Sequence, residues 1–197
     1  MNIDPADQKL TPFYRKLVEL NLPLLTHTGK ESTFSKSEDN LCDPLRLKLP
    51  LDLGVKIIAA HIATSGVNEG EPDYQRLLKL FAVEKYNKQL VADISATTQV
   101  NRLNDFKKLI TNSVFRGRLL YGTDWPLIDT KLWFVSLTPY RAYTTPFFGS
   151  ALSVDQISAL DNIPSSFDRD VRLKEFLGVD SQVFLQSEEF LGIGETQ

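Results

Sequence analysis

Cysteine is almost missing from this chain: Cys42 stands alone among 197 residues. That excludes an internal disulfide and suits a reducing compartment. No apolar run approaches the ~20 residues of a membrane-spanning helix. The opening MNIDPADQKL has neither the basic nor the apolar stretch of a secretory leader. A cytoplasmic location and no membrane partner are therefore expected. A basic surplus is missing as well. The net charge is −3, the sequence pI is near 5.5, and Lys and Arg are scattered, which leaves no footprint for nucleic acid. No Gly-rich phosphate loop follows any apolar run, which argues against a nucleotide. Solenoid repeats and low-complexity tracts are absent too. Histidine is as scarce, with only His27 and His61.

What remains is an ordinary globular composition, 42% hydrophobic and 24% charged, enough for one core and one domain over residues 1–197. Four apolar, β-rich runs stand out: Leu22 to Thr28, Val55 to His61, Leu90 to Ser95 and Arg118 to Asp124. Each is short and nearly continuous in hydrophobicity, as in strands buried on both faces. Between them helical spacing recurs, in Phe13, Leu17, Val18 and Leu20, then Tyr74, Leu77, Leu78 and Phe81, then Leu103, Phe106, Leu109 and Ile110. Alternation of this kind predicts an α/β fold with a parallel sheet and crossover helices.

The connections are unequal. Helix-to-strand turns are tight, at Asn21, Gly54, Asn87 to Gln89, and Arg116-Gly117, whereas the strand-to-helix loops after Thr28, His61 and Ser95 are long and polar. Length is thus invested on the rim at the C-terminal strand ends, where parallel α/β folds bind ligands. Beyond Asp124 the sequence predicts a C-terminal helical extension over residues 126–197, packed on the strand-bearing part at 1–125. Ser153-Val154-Asp155-Gln156 has the form of a capping box opening a helix through Leu160. A second helix is expected from Ser166 or Asp168 to the stop at Gly178. The aromatic, Thr- and Pro-rich stretch Lys131 to Phe148 is expected to form an ordered cap, and the tail after Phe190 to fray.

Both histidines and Asp124 fall at or near strand ends on this rim. Taken singly, a histidine in an apolar strand is more often a hydrogen-bonded structural residue than a ligand, and Asp124 before Trp125-Pro126 serves equally well as a turn or helix cap. Together, two imidazoles and a carboxylate aimed from one rim are the ligand set of a catalytic zinc-type site. Lys30, Glu31, Trp125, Asp93, Arg46 and Arg141 are weaker candidates. For the first two a solvated loop is the plainer account, for Trp125 packing, and for Asp93 a structural hydrogen bond; Arg46 and Arg141 are possible anion contacts without further context.

The blocks TPFYRKLVELNLPLLTHTG, DPLRLKLPLDLGVKIIAAH and RLLYGTDWP resemble the amidohydrolase superfamily, in particular its amidohydrolase-related branch. The resemblance runs from about Ile3 to about Leu160, with looser similarity at SSFDRDVRLKEFLG. It implies strands five to eight of a TIM-like (β/α) barrel, with His27, His61 and Asp124 as metal ligands and His61 and Asp124 as catalytic residues. The implied cofactor is a divalent metal, zinc first and manganese as the alternative, activating water against an amide, ester or lactone-like bond of a small-molecule substrate. Non-oxidative decarboxylation occurs on the same scaffold.

The family's first strand carries a His-x-His pair, and this chain has none. A complete barrel needs ~250 residues. The expectation is therefore a truncated or incomplete form, a non-catalytic scaffold or interaction module, or a half-barrel completed by a homodimer or by an N-terminal half. In a flat sheet the first and fourth strands lie ~14 Å apart, whereas one metal gathers its ligand atoms within ~4 Å. Only barrel curvature brings His27 and Asp124 to one ion.

Overall fold

The computed structural model describes residues 3–30, 38–99, 101–126, 128, 140–146, 149 and 151–192. The predicted alternation is present. Helix α1 (Thr11–Glu19) carries Pro12 in its first turn, where the missing N–H costs nothing, and buries Tyr14, which donates to the Pro5 carbonyl. Strand β1 (Leu24–His27) follows, then the short helix α2 (Lys48–Asp52) and strand β2 (Ile57–Ala60). The long, polar loop after His61 contains a small antiparallel hairpin of β3 (Val67–Asn68) and β4 (Glu71–Pro72). Helix α3 (Asp73–Phe81), strand β5 (Leu90–Asp93), helix α4 (Leu103–Leu109) and strand β6 (Leu119–Leu120) complete the alternating part.

β1, β2, β5 and β6 form one parallel sheet in sequence order. The strands are shorter than the apolar runs that predict them, because residues such as Gly122 to Asp124 belong to the rim rather than to the ladder. Ile57, Ala59, Leu90, Ala92 and Leu119 face the main core with the crossover helices. Residues alternate across a strand, so Leu25, Ile58 and Val91, which are register neighbours, share the opposite face. On that face burial is lopsided: Leu25 is 62% exposed, whereas Val91 and Leu120 are buried.

The asymmetry comes from the C-terminal elements α5 (Val154–Asp161), α6 (Ser166–Phe176) and α7 (Gln186–Leu191). The Ser153–Gln156 capping box is formed in both directions, at 3.2 and 2.8 Å, and α6 ends before Gly178, whose φ is +96°. Tyr121 packs on Phe184 and donates to Asp170, while Gln186 and Phe190 line the far side with Val91 and Leu120. The C-terminal segment thus shelters the β6 side of the sheet and leaves β1 bare. The cap expected over 131–148 falls largely outside the described residues. Among the described residues no helix is long and apolar enough to cross a membrane.

Candidate functional site

Every strand of the parallel sheet leaves its C-terminal end through a left-handed turn. Gly29 has φ +81°, His61, Ile62 and Ala63 have φ +64°, +50° and +50°, and Ala96 and Asp124 have φ +52° and +59°. For residues with a Cβ this region costs about 1–2 kcal/mol each, so strain is concentrated on one rim, as at sites that must aim side chains. Tertiary contacts hold it in place. Thr64 donates through its hydroxyl and its N–H to the His61 carbonyl at 2.7 and 3.0 Å, and Ile62 and Ala63 are fully buried. Gly29 lies against the same turn, where an added Cβ would sit 2.5 Å from the Ser65 carbonyl oxygen.

The two histidines meet on this rim. Their ring centroids are 4.9 Å apart in an edge arrangement. Around His61 the hydrogen bonds fix the tautomer. Asp93 Oδ1 accepts from the His61 N–H at 3.1 Å, from the Ser95 N–H at 2.9 Å and from the Ser95 hydroxyl. With its proton committed to Asp93, the Ser95 hydroxyl faces His61 Nδ1 at 2.8 Å as an acceptor, and the Ser95 carbonyl at 3.0 Å can only accept. Nδ1 therefore carries the hydrogen and Nε2 the lone pair, the arrangement a ligand or base requires. Burial pushes the His61 pKa down, the positive charge of Arg102 pushes it further, and Asp93 and Asp124 oppose both. Burial thus favours the neutral ring.

Asp124 is half-buried and close enough for its charge to be felt at His61. It does not complete a ligand group with the histidines: among the described residues no set of three His, Cys, Asp or Glu side chains converges to hold a metal ion. The physical reason is the one a four-stranded sheet imposes. His27 closes the first strand and Asp124 follows the fourth, and among the described residues no further strand joins the sheet to close it into a ring. The donor chemistry fits a divalent ion as two imidazoles, and among the described residues the set is short of a third ligand.

Of the weaker candidates, Lys30 pairs with Asp39 at 3.6 Å, Arg46 pairs with Asp4 at 2.7 Å, and Trp125 is 62% exposed. Asp93 has the hydrogen-bonding role expected of it, at the centre of the site. Glu31 and the Arg141 side chain lie outside the described residues. Three residues escaped the sequence reading. Ser95, two positions after Asp93, carried no signal. Arg102 is buried at 6% exposure beside His61 and bonds the Lys30 carbonyl at 3.4 Å. Lys174 is fully buried, donates to the Gly122 carbonyl at 3.0 Å and to Asp170 at 2.5 Å, and lies over the Tyr121 ring. The i,i+4 spacing of Asp170 and Lys174 was visible but reads as a surface pair.

No protein-family model and no curated protein matches the chain. Among solved structures it is similar to a protein provisionally named 2-pyrone-4,6-dicarboxylic acid hydrolase from Pseudomonas putida, with 14% identity and a TM-score of 0.60, over 100% of this chain and 61% of that one. A lesser likeness, at a TM-score of 0.45 and 18% identity over 89% of this chain and 53% of the other, is to an uncharacterized TIM-barrel protein from Bordetella bronchiseptica. The fold is α/β, a partial TIM-like barrel of four parallel strands with flanking helices. It spans about three-fifths of the length of the Pseudomonas protein.

Proposed function

We propose that this chain is the C-terminal half-barrel of a metal-dependent hydrolase of the amidohydrolase type. His27 and His61 are its two imidazole ligands for a divalent ion, zinc or manganese, and Asp124 is the carboxylate that accepts a proton. The observation that carries this reading is the pairing of the two rings, with the His61 lone pair set on Nε2 by Ser95 and Asp93. The remaining ligands come from strands beside β1, in a partner copy or a further segment. Arg102, buried beside His61, suits a substrate bearing a carboxylate, a class to which the acid named for the Pseudomonas protein belongs.

Elemental analysis of the purified protein tests the reading. Near-stoichiometric zinc or manganese that falls by half or more in both His27→Ala and His61→Ala supports it, while a metal-free protein sinks it. A second reading, a non-catalytic scaffold or interaction module, draws on the lack of a three-ligand group among the described residues. A decarboxylase on the same scaffold would share the metal dependence, and product analysis with a carboxylate substrate separates it.

A further inference from the structure

On the rim opposite His27 and His61, about one four-residue strand length or ~13 Å away, the N-terminal ends of β2, β5 and β6 open into a cavity of about 360 Å³. Lys56 stands just before β2, Lys88 just before β5 and Arg118 just before β6. All three line it, against the single carboxylate of Glu189. In a chain of net charge −3 this is a local excess of positive charge. Neither Lys56 nor Lys88 is ion-paired with another described residue, and the Lys56 ammonium lies 6.0 Å from the Phe190 ring centroid.

Arg118 is fixed in place. Its Nε donates to the Leu90 carbonyl at 3.1 Å, and its Nη1 donates to the Phe81 carbonyl at 2.9 Å and to Asn87 at 3.1 Å. Its guanidinium carbon sits 4.1 Å from the Phe81 ring centroid. Only Nη2 has no acceptor among the described residues, and the buried Gln186 Oε1, itself an acceptor, has no donor among them. A buried donor without a partner is unfavourable, and an anion would relieve it. The rest of the lining is Asn87 and Gly117 together with the apolar side chains of Val91, Leu120 and Phe190. A volume of this size, with an apolar floor and a few polar groups on one side, suits a small molecule.

We propose that this cavity is a second ligand site, taking a small molecule that carries an oxyanion, a carboxylate or a phosphate monoester, on a compact apolar body. Lys56, Lys88 and Arg118 hold the charged end, and Val91, Leu120 and Phe190 hold the body. The pinned guanidinium supplies a fixed donor and the two lysines supply mobile charge. The site is independent of the metal reading, because it shares no residue with the opposite rim.

The test is calorimetric titration of the full chain at low ionic strength with benzoate and with phenyl phosphate, and with benzyl alcohol as the uncharged control. The double variant Lys56→Gln/Lys88→Gln is used in place of an Arg118 change, since losing the Arg118 bonds to Phe81, Asn87 and Leu90 would confuse folding with binding. Saturable one-to-one binding of benzoate or phenyl phosphate is expected, weakened about tenfold or more in the double variant and retained in Lys56→Arg/Lys88→Arg. The oxyanion that binds more tightly identifies the ligand class. Absence of saturable binding by both, equal binding of benzyl alcohol, or affinity unchanged in the glutamine variant overturns the proposal.

Discussion

The imidazoles of His27 and His61 meet edge to face, 4.9 Å between centroids at an interplanar angle of 65°, although the two residues end different strands. Parallel pairing sets this meeting: His27 is opposite Ala60 in the β1–β2 register, so His61 follows one residue beyond. The left-handed turn at His61 then brings its ring back over the same rim. A hydrogen-bonded base of Asp93 and Ser95 supports it from the neighbouring strand.

That base should be a stability determinant as well as a positioning device. Asp93→Ala leaves two buried N–H groups and a buried hydroxyl without their acceptor, a loss of about 2–4 kcal/mol. Asp93→Asn keeps one acceptor oxygen and should lose less. Chemical denaturation of both variants measures the difference, and equal losses would show that the acceptor is not what matters.

Glycine substitutions separate backbone strain from collision. Gly66 has φ +96°, and an added Cβ would lie 2.2 Å from Asp73 Oδ2 and 2.8 Å from the Lys30 nitrogen. Gly70 has φ +78° with nothing within 4 Å. Gly70→Ala is expected to cost only the left-handed penalty, about 1–2 kcal/mol, while Gly66→Ala should cost about 3 kcal/mol or more. Melting temperatures of the two variants give the comparison.

Lys174 and Asp170 are both buried and bonded at 2.5 Å. Lys174→Met alone strands the Asp170 carboxylate with only the Tyr121 hydroxyl, and a loss of about 3–5 kcal/mol is expected. The double variant Lys174→Met/Asp170→Leu removes both charges and should recover much of that loss. Urea unfolding of the wild type, the single variant and the double variant measures that recovery. A double variant no better than the single would refute the pairing.

Acid should weaken the protein through Asp52. This carboxylate accepts from Lys48, Lys85 and the Tyr86 hydroxyl, and those bonds, Lys48 first, hold its pKa well below the usual carboxylate range. A depressed folded-state pKa gives stability that is present above the unfolded value, ~3.9, and is lost as pH falls below it. The side chain is a third exposed, so the effect is modest. Unfolding midpoints from pH 6 to pH 2 should fall less steeply for Asp52→Asn than for the wild type.

The bare β1 edge predicts association. Leu25, on the edge strand β1, is 62% exposed, and Leu22, just before that strand, is 49% exposed; such edges pair with other chains. The purified chain should run above monomer mass at micromolar concentration. Leu25→Lys, a surface change that costs the monomer under about 0.5 kcal/mol, should shift it toward monomer. A wild type that stays monomeric would show that β1 needs no partner.

The alternation of apolar runs with helical spacing determined the parallel sheet, because buried strands and crossover helices leave distinct periods in a sequence. The Ser153 capping box and the Gly178 stop were legible for the same reason: they are local rules of hydrogen bonding and φ. The strand-end positions of His27, His61 and Asp124 could be read from the same runs. Tertiary structure alone decided that the two histidines meet while Asp124 does not join them in a ligand group. It also decided that Ser95 and Asp93 select the His61 tautomer, that Arg102 lies beside it, and that Lys174 is buried. Each of these depends on register, sheet curvature and the packing of segments far apart in the chain, and no local pattern of residues encodes how far a sheet bends or which side chain another element will cover.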